Sequence, residues 1–161
     1  MEIKSCDYLI VGGGIVGLTI ANQLVQRKFT SNIIIIDKED ELGQHSSGRN
    51  SGVLHAGIYY EPGSLKSKVC VSGATRLKEW MIDRGLSIKK CGKLIIPQKA
   101  ELDPQLDNLF NRGKENGALI SFVNAREIEK IVPEANITSG RGLWSPNTSV
   151  VNPLDVINQL K

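Results

Sequence analysis

Residues 7–37 read DYLIVGGGIVGLTIANQLVQRKFTSNIIIID. The apolar run at residues 8–11 ends in glycines, which predicts a short buried strand. Over residues 15–27 the apolar side chains recur at helical spacing, and the basic pair Arg27-Lys28 suits the end of a helix. Ile33–Ile36 is β-branched throughout, which is typical of a strand that is buried on both faces of a parallel sheet. Strand, helix and strand within about 30 residues predict a βαβ unit.

The turn after the first strand, Gly12-Gly13-Gly14-Ile15-Val16-Gly17, matches the pattern G-x-G-x-x-G. Glycine permits the tight turn at Gly12, lets the backbone approach a pyrophosphate at Gly14, and lets helix and strand pack closely at Gly17. The helix that follows begins with Ile15 and continues with Val16. Its start offers backbone N–H groups and a partial positive charge to phosphates. The pattern therefore predicts a phosphate site at the start of this helix.

Asp37 ends the isoleucine-rich strand, 20 residues after Gly17. A carboxylate at that position accepts hydrogen bonds from the ribose hydroxyls of an adenosine, and it repels the 2′-phosphate of NADP. Together with the glycine turn, Asp37 predicts an adenine dinucleotide, with FAD and NAD both left open by these residues. The alternative is an ordinary strand–turn–helix that is followed by a surface acid.

The rest of the chain has weaker patterns. Residues 38–64 have no periodicity, are rich in glycine and serine, and contain both histidines, so we expect a long functional loop. Further elements are predicted as helices over 65–84, 102–115, 125–132 and from Pro153, and as strands over 93–97 and 142–144. No third or fourth parallel strand is evident. We therefore expect an N-terminal fragment, with residues 1–90 in a nucleotide-binding domain and 91–161 in the start of a second domain.

Composition and charge exclude several classes of protein. The chain has 161 residues, a net charge of +3 with both signs mixed, and 5% aromatic residues, which argues against nucleic acid as a partner. Its three cysteines form neither a disulfide framework nor a metal-ligand pattern. We therefore predict no metal site and a cytoplasmic location. We find no secretory signal, and the run Ile33–Ile36 is far shorter than the roughly 20 residues that span a bilayer.

Four stretches carry a family resemblance. Residues 47–60 (SGRNSGVLHAGIYY), 62–66 (PGSLK), 91–94 (CGKL) and 142–151 resemble, in the same order, L-2-hydroxyglutarate dehydrogenases and oxidases of the FAD-dependent D-amino-acid-oxidase-like superfamily. The resemblance covers nearly all of the chain, and the stretch from Ser47 to Lys66 is its most specific part. The chain departs from the family at Asn152-Pro153-Leu154, where an acid and an aromatic residue are more usual.

The resemblance implies a fold, a cofactor and a reaction. The fold is α/β, a Rossmann-like FAD-binding unit with a parallel sheet and part of a mixed α+β substrate domain. The cofactor is FAD, and the reaction is oxidation of L-2-hydroxyglutarate to 2-oxoglutarate by hydride transfer to flavin N5. Oxygen or a quinone would accept the electrons, and peripheral attachment to the inner face of a membrane is compatible with the family. The family's C-terminal half completes both sites, so we expect the fragment alone to be inactive.

The resemblance also implies residue roles in cofactor binding. Small donors and backbone amides in the serine-rich loop would contact the phosphates and the flavin, because the flavin edge needs close backbone approach. A guanidinium there would neutralise the diphosphate, or it is a solvated loop cation. The predicted cofactor-binding residues are Gly12, Gly14, Ile15, Val16, Gly17, Asp37, Lys38, His45, Ser46, Ser47, Arg49, Asn50, Ser51 and Gly52.

His55 is the predicted catalytic base. An imidazole with an ordinary pKa near 6.5 accepts a hydroxyl proton at neutral pH, and its small neighbours Ala56 and Gly57 leave room for a substrate. The alternative is a histidine that is merely hydrogen-bonded under the flavin. His45 is predicted to contact the flavin or to lie on a surface loop. Tyr59 and Tyr60 are predicted to pack the loop, with contact to a substrate hydroxyl as the alternative.

Two rival functions stay open at this point. One is a related flavin oxidoreductase acting on glycerol-3-phosphate or an amino acid. The other is a fragment that binds a nucleotide without catalysis.

Overall fold

The computed structural model describes residues 5–161, which divide into two compact units. The first unit comprises the residues up to Gly52 together with Asn152–Lys161, and the second unit comprises Val53–Val151. The strands are β1 (Tyr8–Val11), β2 (Ile33–Ile36), β3 (Val53–Leu54), β4 (Ile88–Lys89), β5 (Lys93–Ile95), β6 (Ser121–Asn124), β7 (Arg141–Ser145) and β8 (Ser149–Val151). The helices are α1 (Ile15–Gln26), α2 (Leu65–Ile82), α3 (Pro104–Glu115), α4 (Ala125–Ile131) and α5 (Pro153–Leu160).

The first unit contains the predicted βαβ arrangement. β1 and β2 pair in parallel, with Tyr8 opposite Ile33 and Val11 opposite Ile36. The ladder continues into the turn, because the Gly12 N–H donates to Ile36 O at 2.8 Å. α1 connects the two strands, and α5 packs against α1. The prediction of an α/β fold with a parallel sheet is confirmed.

The burial predicted for the β2 isoleucines is wrong. Ile33, Ile34 and Ile35 are half-buried, and Ile36 is 46% exposed. Val11 in β1 is 78% exposed. The physical reason is the width of the sheet: within residues 5–161, β1 and β2 pair only with each other, so each has an open edge. The β-branched composition favoured the extended conformation of these strands, but it did not guarantee neighbours that cover them.

The second unit combines helices with two antiparallel sheets. One sheet has the order β3-β8-β4 and the other β5-β7-β6. Its core is a cluster of buried apolar side chains from the segment after β3, from α3, from the segment before β6 and from β7. The members are Ile58, Leu106, Ala118, Ile120 and Leu143. This unit is α+β, as expected for the second domain.

Four short strands were not predicted. β3 lies in the stretch predicted as an unbroken loop, and β4, β6 and β8 were missed altogether. β3 and β4 are two residues long and both pair with β8, so partners distant in sequence define them. Patterns within a short window carry no signal for such pairings.

The expected boundary at residue 90 falls inside the second unit. β4 and β5 lie on either side of it, yet β4 pairs with β8 and β5 pairs with β7. α5 was expected to belong to the second domain, but it lies in the first unit. The compact units therefore differ from the predicted 1–90 and 91–161 ranges, and the assignment of cofactor and substrate roles to them stays a prediction. Among the helices of residues 5–161, none has the length and apolar character needed to cross a membrane.

Candidate functional site

At two positions of the glycine turn, Gly12 and Gly17, the structure accommodates only glycine. Gly12 has φ +107°, a backbone conformation that residues with a side chain rarely adopt. A Cβ at Gly17 would collide with the Gly12 carbonyl oxygen and would lie 3.1 Å from Cγ2 of Ile10. Gly12 therefore makes the turn, and Gly17 lets α1 start close against the end of β1.

The start of α1 presents backbone N–H groups at this turn. Gly14 is the N-cap, and the first turn of the helix closes where the Leu18 N–H donates to Gly14 O at 3.0 Å. The Ile15 N–H donates to Ser47 Oγ at 2.9 Å. The N–H groups of Val16 and Gly17 precede the first intrahelical hydrogen bond, so they have no acceptor within the helix. Such a helix start suits an anion.

Asp37 lies beside the glycine turn. Its Oδ2 accepts from the Gly13 N–H at 2.6 Å, and its Oδ1 accepts from the Glu39 N–H at 3.0 Å. The hydrogen bond from Glu39, followed by that from Gly13, lowers the pKa of Asp37 below its ordinary value. The carboxylate is therefore ionised and fixed in orientation. Because a carboxylate offers about four lone-pair positions, it retains acceptor capacity for ribose hydroxyls.

Leu42 and Gly43, for which the sequence predicted no role, hold the following loop against the turn. The Gly43 N–H donates to Gly13 O at 3.0 Å. A Cβ at Gly13 would displace the Leu42 side chain, so the middle glycine of the run lets Leu42 pack against the turn. Gly43 has φ +75°, and its Cβ would lie 2.9 Å from Cγ2 of Ile157 in α5. The glycines were visible in the sequence, but their contacts were not.

Asn50 organises the serine-rich loop. Its Nδ2 donates to Ser46 O and to Ser47 O, both at 2.9 Å, and its Oδ1 accepts from the Gly52 N–H at 2.9 Å. Gly52 is buried and has φ +64°, whereas Ser51 is exposed. The structure thus gives Asn50 a role within the loop, and the predicted contacts of these residues with a cofactor stay predictions.

The charged residues of the loop lie at its surface. His45 Nε2 lies 2.8 Å from Glu39 Oε1, and Lys38 Nζ lies 3.7 Å from the same oxygen. Arg49 is exposed, and its backbone N–H donates to His45 O at 3.0 Å. Glu39 was not predicted as a partner of His45, because spacing in a loop without periodicity does not indicate which side chains meet.

His55 belongs to the second unit, immediately after β3. Its carbonyl oxygen accepts from Cys70 Sγ at 3.6 Å. The turn that follows has Gly57 at φ +87°, and Asn116 Nδ2 donates to both Gly57 O and Tyr60 O at 2.8 Å. Ile58, in the same turn, is 2% exposed and belongs to the core. The backbone that carries His55 is therefore held from α2, from the end of α3 and from the core.

The environment of His55 favours its neutral form. Burial, followed by the positive charge of Lys93, lowers the pKa of His55 below 6.5. The imidazole is half-buried and uncharged at neutral pH, so it is able to accept a proton. Tyr59 is exposed and Tyr60 half-buried beside it. Within the first unit the structure brings Gly12, Gly14, Asp37 and Ser47 together, and within the second it places His55 with the two tyrosines.

Comparison with protein families adds an independent finding. The model of the family described as DAO, FAD dependent oxidoreductase, matches residues 7–161. The chain is 44% identical over 153 residues to the mitochondrial L-2-hydroxyglutarate dehydrogenase of Caenorhabditis briggsae, covering 94% of this chain and 35% of that protein. It is 42% identical over 153 residues to the human enzyme of the same name, covering 92% of this chain and 32% of that protein. The chain thus spans about a third of the length of these relatives.

Solved structures resemble the chain along nearly its whole length. The dithionite-reduced, FAD-bound L-alpha-glycerophosphate oxidase from Mycoplasma pneumoniae aligns with a TM-score of 0.86 and 28% identity, covering 98% of this chain and 42% of that one. The L-proline dehydrogenase of P. horikoshii aligns with a TM-score of 0.77 at 21% identity, covering 99% of this chain and 41% of that one. At that identity, the second likeness supports the fold alone.

Proposed function

This chain belongs to the DAO family of FAD-dependent oxidoreductases, and from that premise we propose that the whole protein oxidises L-2-hydroxyglutarate to 2-oxoglutarate. The observation that carries the substrate is the 42–44% identity to named L-2-hydroxyglutarate dehydrogenases across more than 90% of the chain. The glycine turn and Asp37 left both FAD and NAD open as the cofactor. The family is FAD-dependent, so the cofactor is FAD. The resemblance inferred from the sequence is thereby confirmed.

The first unit supplies groups that fit the adenosine diphosphate part of FAD. The N–H groups at the start of α1 would bind the pyrophosphate, where Gly14 has no side chain to fill the space. A Cβ there would already lie 3.0 Å from Ser47 Oγ, so a larger side chain at this position would crowd the cradle. The ionised Asp37 would accept hydrogen bonds from the ribose hydroxyls.

The second unit supplies the proposed base. FAD, when bound, accepts a hydride at N5 of its flavin. The neutral imidazole of His55 would take the proton from the C2 hydroxyl of the substrate, whose oxygen would become the carbonyl of 2-oxoglutarate when the flavin accepts the C2 hydride. The lowered pKa of His55 keeps this group unprotonated at neutral pH. General-base assistance of this kind contributes typically about 10²–10⁴-fold in rate.

Anaerobic reduction of the purified, full-length flavoprotein tests the proposal. We expect L-2-hydroxyglutarate to bleach the absorbance of oxidised flavin and D-2-hydroxyglutarate to leave it unchanged. Glycerol-3-phosphate is the first rival substrate, because this chain is 28% identical to the L-alpha-glycerophosphate oxidase from Mycoplasma pneumoniae. An amino acid is the second rival. Bleaching by either rival alone contradicts the proposal, and purification without flavin favours a non-catalytic nucleotide-binding protein.

Two further parts of the proposal concern the electron acceptor and the location. We propose oxygen or a quinone as acceptor, with the quinone implying attachment to the inner face of a membrane. Reoxidation of reduced flavin by air, compared with reoxidation by a soluble quinone, separates the two. A cytoplasmic location was predicted from the sequence, whereas the relatives are named mitochondrial. Cell fractionation distinguishes these locations.

A further inference from the structure

The turn after His55 is surrounded by positive side chains from three elements. Lys93 Nζ of β5 lies 4.4 Å from the centre of the Tyr59 ring, and Lys66 Nζ of α2 lies 4.9 Å from the centre of the Tyr60 ring. Arg112 of α3 donates from Nη1 to Tyr59 O at 3.2 Å. Glu61 faces the same group of cations, and its Oε2 lies 3.4 Å from Arg112 Nη2. The local balance of charge is therefore positive, which favours an anionic ligand.

Lys93 differs from the other two cations. Lys66 is exposed, and Arg112 forms an ion pair with Glu61, whereas Lys93 is half-buried and forms no ion pair with a side chain of residues 5–161. No carboxylate of the described residues therefore competes with a ligand for the Lys93 ammonium. The contact with the Tyr59 ring involves no hydrogen-bond acceptor, so the donors of the ammonium stay available to a carboxylate.

The position of Lys93 is fixed by the sheet. Lys93 pairs with Ser145 across β5 and β7, so both side chains lie on the same face. Ser145 is fully buried, and the preceding residue, Gly92, has φ +68° and no room for a Cβ against the Trp144 ring. The stem of Lys93 therefore starts from backbone that the pairing of β5 with β7 holds in place, and its ammonium reaches the Tyr59 ring. A cation held in this way is preorganised for a ligand.

We propose that Lys93 binds a carboxylate of the 2-hydroxy acid beside His55, and so positions the C2 hydroxyl for proton transfer. This inference rests on the proposed function, because it deepens the assignment of His55. The imidazole and the ammonium match the two kinds of functional group in the substrate: the imidazole accepts from the hydroxyl, and the ammonium donates to one of the two carboxylates. The contact of the Lys93 ammonium with the ring of Tyr59, four residues after His55, places both groups at the same turn. Cys70, whose thiol contacts the His55 carbonyl, is uncharged, since burial raises its pKa.

The test is substitution of Lys93 in the full-length, FAD-loaded enzyme. We expect Lys93→Met to raise the L-2-hydroxyglutarate concentration for half-maximal flavin reduction by at least about tenfold, the typical weight of one charge-assisted hydrogen bond. It should weaken to a similar extent the binding of glutarate, which has the carboxylates but no hydroxyl and is followed by the shift that it causes in the flavin spectrum. Lys93→Arg should retain most of the binding. Lys99→Met, at an exposed lysine beyond the same strand, is the matched control.

The outcomes separate the inference from the function that it rests on. If the unsubstituted enzyme is not reduced by L-2-hydroxyglutarate, the proposed function is wrong. Suppose that the unsubstituted enzyme is reduced by L-2-hydroxyglutarate. If the Lys93→Met variant then has full FAD content and binds glutarate with an affinity within twofold of the unsubstituted enzyme, the proposed role of Lys93 is wrong. Should the methionine variant lose FAD, Lys93→Gln is measured instead by the same criterion. A purely structural role would not move the acid limb of the pH profile, whereas loss of the Lys93 charge should shift it to higher pH.

Discussion

Gly12 and Gly17 need glycine for different reasons. Gly12 has φ +107°, and a Cβ added there would meet nothing within 4 Å, so a substitution causes backbone strain alone. Gly17 has an ordinary backbone conformation, but a Cβ would collide with the Gly12 carbonyl. Strain of the first kind costs about 1–2 kcal/mol, whereas a collision with backbone forces α1 away from β1.

Gly17→Ala should therefore destabilise the protein. We expect a loss of roughly 1–3 kcal/mol in the free energy of unfolding, as for overpacking elsewhere. Urea denaturation followed by circular dichroism measures it. Gly73→Ala is the matched control, because Gly73 lies within α2 with open space around it. That variant should gain about 0.5–1 kcal/mol from the better helix propensity of alanine. Equal stability of the two variants would contradict the packing argument.

Gly14→Val tests the phosphate cradle. A β-branched side chain at the N-cap of α1 would press on Ser47 and occupy the space in front of the helix amides. We expect the full-length variant to purify without flavin. The ratio of the visible flavin absorbance to the ultraviolet protein absorbance provides the measurement. A variant as yellow as the unsubstituted protein would show that the pyrophosphate binds elsewhere.

His55→Ala tests the base. The variant should keep its flavin, yet its anaerobic reduction by L-2-hydroxyglutarate should slow by about 10²-fold or more. Since burial and Lys93 lower the pKa of His55, the unsubstituted enzyme should lose activity only below pH 6.5, where the imidazole becomes protonated. Stopped-flow rates measured on both sides of that pH report both effects. An unchanged rate in the variant would remove His55 from the reaction.

At the scale of elements, Arg141 joins α3 to β7. Its Nε donates to Asp103 Oδ1 at 3.1 Å, and its Nη2 lies 2.7 Å from Asp107 Oδ2. The guanidinium also lies 4.9 Å from the centre of the Phe122 ring of β6. Hydrogen bonds from Arg141 lower the pKa of both carboxyl groups below 3.8. Their contribution to stability is therefore complete above pH 3.8 and is lost as the pH falls through the lowered values.

Arg141→Met should thus lower the urea midpoint at neutral pH. The difference from the unsubstituted protein should shrink as the pH falls below 3.8, because the protonated aspartates no longer need the guanidinium. Arg126→Met, at an exposed position of α4, is the control and should leave the midpoint unchanged. A difference that stays constant from neutral to strongly acidic pH would mean that Arg141 stabilises by packing alone.

Helices and strands with a periodic pattern were predictable from the sequence. α1 was expected over 15–27 and lies at Ile15–Gln26, and β2 was expected and found at Ile33–Ile36. α2 was expected over 65–84 and ends at Ile82. β3, β4 and β8 were not predictable, since two or three residues have no periodicity and their pairing depends on segments far away in the chain.

The candidate site divides in the same way. Gly12, Gly17 and Asp37 follow from a local motif, because each acts on residues close in sequence or on the adjacent parallel strand. Lys93 follows from no local pattern: its relation to Tyr59 requires that β5 and the turn after β3 meet in space. The cofactor class was therefore predictable from the sequence, whereas the charge beside His55 was not.

At the scale of the whole molecule, the two units differ in continuity. The second unit is one stretch, Val53–Val151, with its own buried core. We expect residues 53–151 expressed alone to fold cooperatively, whereas residues 1–52 alone should not fold, because they lack α5. Dispersed amide signals in NMR and a sigmoidal urea transition would identify the folded segment. A disordered 53–151 segment would mean that the second unit depends on the first.

α5 packs on α1 although the entire second unit lies between them in sequence. The ribosome therefore releases β1, α1 and β2 long before it releases α5, which packs against α1. Nascent domains usually fold in the order of their synthesis, whereas we expect the second unit to fold before α5 has been synthesised. The packing of α5 on α1 therefore forms only after Pro153–Leu160 has been synthesised.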